Sequence, residues 1–297
     1  MTTDNVKVRS DRSPWPQGVA LWLAIACFIV AAIAFSWNPT PFAQVLAAIF
    51  VASALAHANA TYGFRHALAF FLIYVAITFT VENIGAATGL PFGRYHFAVD
   101  ASLPHIGTIP IIVGPLWFGA GYFSWIVASV LLDGADRRLD RTLNRIALPI
   151  VAAFVMTQWD LVMDPPNATI AKAWIWHDGG ADFGVPLSNY LGWLLTAWLF
   201  YQAFALFMCW RPAPPAPAMP QRRKLQVIAI LFNVSAGLTH AIPWLMGSPE
   251  RLPTAAAMSG KFTICARRRS RSCCSRCCSP PCWRDCTCCE SSDRRAG

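Results

Sequence analysis

Charge is what this sequence lacks. Asp, Glu, Lys and Arg make up 13% of its 297 residues, about half of the roughly 25% found in an ordinary soluble domain. That supply cannot coat a water-soluble globule of this size in polar surface. A soluble enzyme, a nucleic-acid binder and a disordered chain are all disfavoured. Acids are scarcest of all, and Glu82 is the only Glu before residue 250. Cysteine is nearly absent ahead of residue 261, occurring only at Cys27 and Cys209. Familiar reaction motifs are missing too: there is no P-loop, GxGxxG, HExxH or GxSxG pattern. The six histidines form none of the dense boxes that hold membrane di-iron centres. His57 and His66 are a pair that a haem could take, and nothing else in the sequence supports one. Neither a metal nor a cofactor is expected.

Long apolar runs are what is present. Hydrophobic residues reach 56% of the chain, and a bilayer core needs about 20 of them in a row per helix. Seven segments qualify or nearly do, near 18–36, 42–58, 65–81, 109–132, 144–163, 187–209 and 225–246. The first reads as a span and not as a cleaved leader. The expected fold is all-α, a polytopic transmembrane bundle over residues 18–250, with a short N-terminal segment, 1–17, ahead of it. Pro110 and Pro115 predict a late or kinked start for the fourth span. Pro165 and Pro166 predict that the fifth ends at Asp164.

Basic residues give the orientation. Lys7, Arg9 and Arg12, then Arg65, then Arg137, Arg138, Arg141 and Arg145, then Arg211, Arg222, Arg223 and Lys224 fall in alternate loops. Seven spans place all of them on one side. The expected location is the inner (cytoplasmic) membrane with a cytoplasmic N-terminus. Glu82, Asp160 and Asp164 then share the opposite, outer end with the Gly- and aromatic-rich segments 85–97 and 174–193.

The C-terminal stretch, 251–297, does not match this composition. Residues 261–297 hold nine cysteines and 9 Lys+Arg against 3 Asp+Glu. Its crowded Cys-Cys pairs lack the regular spacing of a zinc module, and nothing marks a secreted disulfide domain. A one-base frame shift accounts for it better, since Leu codons CTG-CTG read one base late become TGC-TGC, Cys-Cys. This hypothesis predicts an eighth apolar span replaced by a disordered Cys/Arg-rich tail, and resequencing that finds a clean frame would remove it.

The acids are the candidates for chemistry. A carboxylate at mid-membrane costs roughly 2.5–3.5 kcal/mol on insertion scales. Glu82 ends the apolar run FFLIYVAITFTV and reads either as an interfacial acid paired with Arg94 or as a buried catalytic carboxylate. Asp160 and Asp164, in TQWDLVMDPP, are one helical turn apart on one face. A carboxyl group that keeps its proton near neutral pH is what a general acid needs; ordinary interfacial solvation is the alternative. Trp174, Trp176, Phe183, Tyr190 and Trp193 read as the wall of an apolar pocket or as an interfacial aromatic belt. Gly-x-x-Phe-Gly occurs at 89–93 and again at 180–184, hinting at two similar loops.

Taken in order, ENIGAATGLPFGRYHF, TQWDLVMDPPNA and WIWHDGGADFGVPLSNYLGW resemble the membrane carotenoid-biosynthesis proteins that include CruF-type carotenoid 1,2-hydratases and bisanhydrobacterioruberin hydratase. The resemblance covers roughly residues 20–250 and departs at the C-terminus, where the family continues with another apolar helix. It implies addition of water to the terminal double bond of an acyclic carotenoid held in the bilayer. By that resemblance Asp160 or Asp164 supplies the proton. Glu82 or the other Asp orients water. Trp159, Trp174 and Trp176 face the cation, and Asn83 and Asn189 bind water or the new hydroxyl. Other carotenoid-biosynthesis enzymes are the expected protein partners. The rival readings are an end-group cyclase, which starts from the same protonation without water, and a membrane transporter or structural partner.

Overall fold

The computed structural model describes residues 39–98, 103–169 and 172–245, with positions 22, 25 and 26; side chains at 39–46, 236 and 238–245 are outside the description. The N-terminal segment, all but three positions of the first expected span, and the Cys/Arg-rich tail, where an eighth span is expected to have been replaced, lie outside the described residues. The chain divides into two units, Met1–Ser248 and Pro249–Gly297, and every described residue belongs to the first.

Among the described residues the fold is mostly helical. Six helices follow one another: α1 (Pro39–Tyr62), α2 (Phe64–Thr88), α3 (Val113–Leu131), α4 (Thr142–Thr169), α5 (Leu187–Trp210) and α6 (Met219–Leu245). Four of them, α2 to α5, are long and apolar enough to cross a membrane, where the sequence predicts seven spans. The expected spans at 42–58 and 225–246 are helices α1 and α6, which are not among the four; α6 opens on Arg222, Arg223 and Lys224. The aliphatic faces of α4 and α5 are bare. Leu143, Ile146, Ile150 and Phe154 on α4, and Leu187, Leu191 and Leu195 on α5, are exposed at helical spacing. Such a stripe belongs against lipid, because water would not tolerate it. The protein is a membrane protein.

Helix α3 is the centre of the bundle: 72% of its spanning stretch is buried, against 33%, 44% and 50% in α2, α4 and α5. Small residues make that possible. Lipid tails offer no hydrophobic drive between helices, so close backbone approach and packing carry association. Gly121 shows how tight the approach is. A Cβ there would run into the Tyr74 hydroxyl, and the Tyr74 ring cannot retreat, being stacked on Phe200 at 3.6 Å. The Gly121 carbonyl also accepts the Tyr201 hydroxyl at 2.6 Å. Gly121→Ala is therefore expected to destabilise the bundle by about 1–3 kcal/mol through overpacking. Denaturant unfolding in mixed micelles measures this; an unchanged midpoint would show that the core yields at Tyr74.

One end of the bundle is locked by a polar network. Asp136, in the short 3-10 turn Ala135–Arg137 after α3, accepts from the hydroxyls of Tyr62 (2.8 Å) and Ser129. Arg137 Nε stands 3.3 Å from the same carboxylate. Its Nη atoms donate to the carbonyls of Pro214 and Thr61 at 2.8 and 2.6 Å, and its guanidinium lies over the Tyr62 ring. His57, fully buried, spends both nitrogens nearby. Nε2 faces the Leu225 carbonyl at 2.7 Å and so must donate, leaving Nδ1 to accept the Tyr122 hydroxyl at 2.6 Å. His66 donates instead to the Arg211 carbonyl. His57 therefore has no nitrogen left for a haem iron.

The opposite end carries two small antiparallel ribbons that an all-α reading does not contain. β1 (Tyr95–Phe97) pairs with β4 (Trp174–Trp176), and β2 (His105–Ile106) pairs with β3 (Ile109–Pro110). Pro110 thus sits in a strand and α3 starts late, at Val113, as the prolines predict. The other proline expectation fails: α4 runs past Pro165 and Pro166 to Thr169. Two rings remove two N–H donors, but their fixed φ is helical. Side chains hold the extra turn, since Asn167 Nδ2 donates to the Met163 carbonyl (2.8 Å) and Thr169 Oγ1 to that of Pro165 (2.6 Å).

Candidate functional site

The extra turn of α4 moves Asp160 and Asp164 away from the helix end and into the bundle. Both are buried, as is Glu82 near the end of α2. The three carboxyl groups lie close enough to act on one another electrostatically. Two helices and one polar cluster thus meet where three separate stretches of sequence promise it.

Asn189, in the first turn of α5, ties the two aspartates together. Its Nδ2 donates to Asp160 Oδ2 at 3.0 Å and also to Asp164 Oδ2. The other Asp164 oxygen accepts the indole N–H of Trp174, on β4. Glu82 Oε2 accepts the hydroxyl of Tyr95, on β1, and the Trp117 indole of α3 lies near the same carboxyl group. Burial and the neighbouring Glu82 push the Tyr95 phenol far up, so it stays a donor. The β1–β4 ribbon is therefore a cover with two donors built in, one for each side of the cluster.

Several buried polar atoms here have no hydrogen-bond partner among the described residues: Asp160 Oδ1, Trp176 Nε1 and Thr78 Oγ1, the last one turn before Glu82. An unsatisfied buried polar group costs about 1–3 kcal/mol. Among the described residues no cation offsets the acids either. Arg94, the expected partner of Glu82, is turned outward and bonded to Asp178 through two nitrogens. Its guanidinium holds the Asp178 carboxyl below the usual carboxylate range.

Aromatic rings wall the cluster. Trp193 stacks on Trp117 at 3.8 Å, with Trp159 beyond it at 6.4 Å. Tyr95 meets Trp176 at 5.0 Å, and Phe92 packs on both Tyr95 and Trp117. Gly85 and Gly192 flatten α2 and α5 against the Phe92 ring, where a Cβ would come within 2.6 and 2.5 Å.

Of the residues named from the sequence, Glu82, Asp160, Asp164, Asn189, Trp159, Trp174, Trp176 and Trp193 come together here. Tyr190 stands at the margin, its hydroxyl donating to Asp182. Asn83 faces elsewhere. Its Nδ2 donates to the Phe79 and Ile106 carbonyls, and its Oδ1 accepts the Thr108 N–H, so it pins the β2–β3 hairpin. Phe183 is 73% exposed with φ +50°, while Phe92, its counterpart in the repeated Gly-x-x-Phe-Gly, is buried. The two loops are not alike. Tyr95 and Trp117 escape the sequence reading. The alternation of aromatic residues in Tyr-His-Phe and Trp-Ile-Trp is the signal that would have found the ribbon, and Tyr95 with it.

Comparison with known proteins gives the family. The model of the carotenoid biosynthesis protein family matches residues 39–257, which includes every member of the cluster. Bisanhydrobacterioruberin hydratase from Haloarcula japonica is 29% identical over 128 residues, 42% of this chain and 41% of that protein. The chain thus matches about two fifths of the length of that relative. No solved structure matches it.

Proposed function

The chain belongs to the carotenoid biosynthesis protein family, and from that premise we propose that it adds water across the terminal 1,2 double bond of an acyclic carotenoid end group. The observation that carries this reading is the cluster of three buried acids with no cation beside it among the described residues. At roughly 2.5–3.5 kcal/mol each on insertion scales, such groups are kept for a use.

Asp160 is the proton donor in this proposal. Both Asp164 oxygens already accept hydrogen bonds, and Glu82 is bonded by Tyr95. Asp160 Oδ1 is the oxygen with room for a transferable proton. That proton forms the new C–H bond at C-2 and leaves a tertiary cation at C-1. The indole faces of Trp117, Trp159 and Trp193 stabilise the cation, as aromatic faces do. Water then bonds to C-1 and gives up a proton to Glu82 or Asp164; that proton returns to Asp160 to reset the site, so that the sum is one water added and no proton consumed. The polyene enters from lipid, between the bare aliphatic faces. By the charge rule the basic end faces the cytoplasm of the inner membrane and the acids lie toward the outer side.

Pigment analysis tests the proposal. The chain, and a version with the reading frame restored after residue 260, would be expressed in cells that make lycopene or γ-carotene. The expected product is heavier by one water. A product of unchanged mass would point to a cyclase. No new pigment from either version, with both in the membrane, would overturn an enzymatic role.

A further inference from the structure

The outer face of the cover carries groups that the acid cluster does not use. Successive strand residues point to opposite faces. Tyr95 and Trp174 reach inward to Glu82 and Asp164. His96, next to Tyr95, points outward, as does His177, which donates its backbone N–H to the Arg94 carbonyl at 2.9 Å. The two imidazoles are diagonal neighbours across the ribbon. His96 Nδ1 and His177 Nε2 are 2.7 Å apart, with ring centroids 5.0 Å apart, and both residues are exposed. Between them they hold one proton and one lone pair.

We propose that His96 and His177 form a binding site for a divalent cation of the zinc–copper class, which replaces the shared proton and clamps β1 to β4. Imidazole is a preferred ligand of these metals. Metal–nitrogen bonds of about 2.0–2.1 Å at a tetrahedral angle hold two nitrogens ~3.3 Å apart. The rings must separate by only about half an ångström, which small rotations of two exposed side chains supply. No group of three or more metal-binding side chains gathers among the described residues, so water fills the other positions and the site is open. Its effect is mechanical. Metal bound to the closed ribbon and not to the parted one stabilises closure by mass action, holding the donors of Tyr95 and Trp174 on their carboxylates.

The test uses the full chain in detergent with its thiols alkylated, because the cysteines would otherwise take zinc first. Zinc chloride, titrated against a chromophoric chelator, should show one histidine-dependent equivalent of micromolar affinity. His96→Gln and His177→Gln should each weaken it by about tenfold or more, the double variant no further than either alone. His105→Gln, an exposed imidazole on the other ribbon, should leave it unchanged. Copper(II) in place of zinc should give an electron spin resonance spectrum split by two nitrogens, lost in either variant. Zinc should also slow hydrogen exchange at 95–97 and 174–177 in the parent chain alone. Equal zinc affinity in the double variant, or exchange that zinc does not alter, would overturn the proposal. None of these readouts depends on catalysis.

Discussion

Asp160→Asn is expected to lower water addition by about 10²–10⁴-fold, the usual contribution of a positioned general acid, while leaving the protein folded. The amide has the shape of the carboxyl group it replaces. Its oxygen can still accept the Asn189 N–H at the Oδ2 position, 3.0 Å away, and no other donor is disturbed, because Oδ1 has none among the described residues. What the variant loses is the proton that can be given to carbon. Asp164→Asn differs in kind: both Asp164 oxygens accept, from Trp174 and Asn189, so an amide there sets an N–H against an N–H and loosens the cover as well. Product formed per amount of membrane protein, with thermal melting alongside, separates the two. If Asp160→Asn converts carotenoid within about twofold of the parent, too small for a lost general acid, the assignment of the donor is wrong.

The largest effect on stability should come from the other end of the molecule. Removing one partner of a buried ion pair costs about 3–5 kcal/mol, because the remaining charge is left uncompensated. Asp136 and Arg137 are such a pair, with side chains 7% and 15% exposed. Arg137→Ala also releases the Thr61 and Pro214 carbonyls and the cation over Tyr62. Unfolding in mixed micelles should show the full loss. Adding Asp136→Asn should restore part of it, since the orphaned charge disappears with it. A double variant no more stable than Arg137→Ala would mean that the lost carbonyl contacts, and not the charge, set the cost.

The sequence locates the acids well and their partners poorly, for a physical reason. An acid in an apolar run stands out against its surroundings, so Glu82, Asp160 and Asp164 are legible, as is their common end. A partner is chosen by the path of a loop, which no local pattern records. Arg94 is the charge nearest Glu82 beyond its helix, yet the pairing of β1 with β4 turns it outward to Asp178 and turns Tyr95 inward. Asn83 carries the same amide as Asn189 and adjoins an acid, but a hairpin takes up its hydrogen bonds. Proline propensity fails at 165–166 because the neighbouring Asn167 and Thr169 supply bonds of their own. The lock of His57, Tyr62, Asp136 and Arg137 depends on contacts more than 60 residues apart in sequence, and so is invisible in any window.

Order of synthesis gives the acid cluster one more property. Glu82 meets its phenol 13 residues later; Asp164 meets its indole 10 residues later and its amide 25 later; Asp160 waits 29 for the same amide. Closing a short loop costs little conformational entropy. Each acid that leaves the ribosome is thus followed by its own donor before the next acid or soon after it, and the two halves can be completed separately. The zipping of β1 to β4, with the packing of Phe92 and Trp117 against α5, joins the distant stretches of chain. A nascent chain thus carries no carboxylate of the cluster without its donor beyond the first turn of α5.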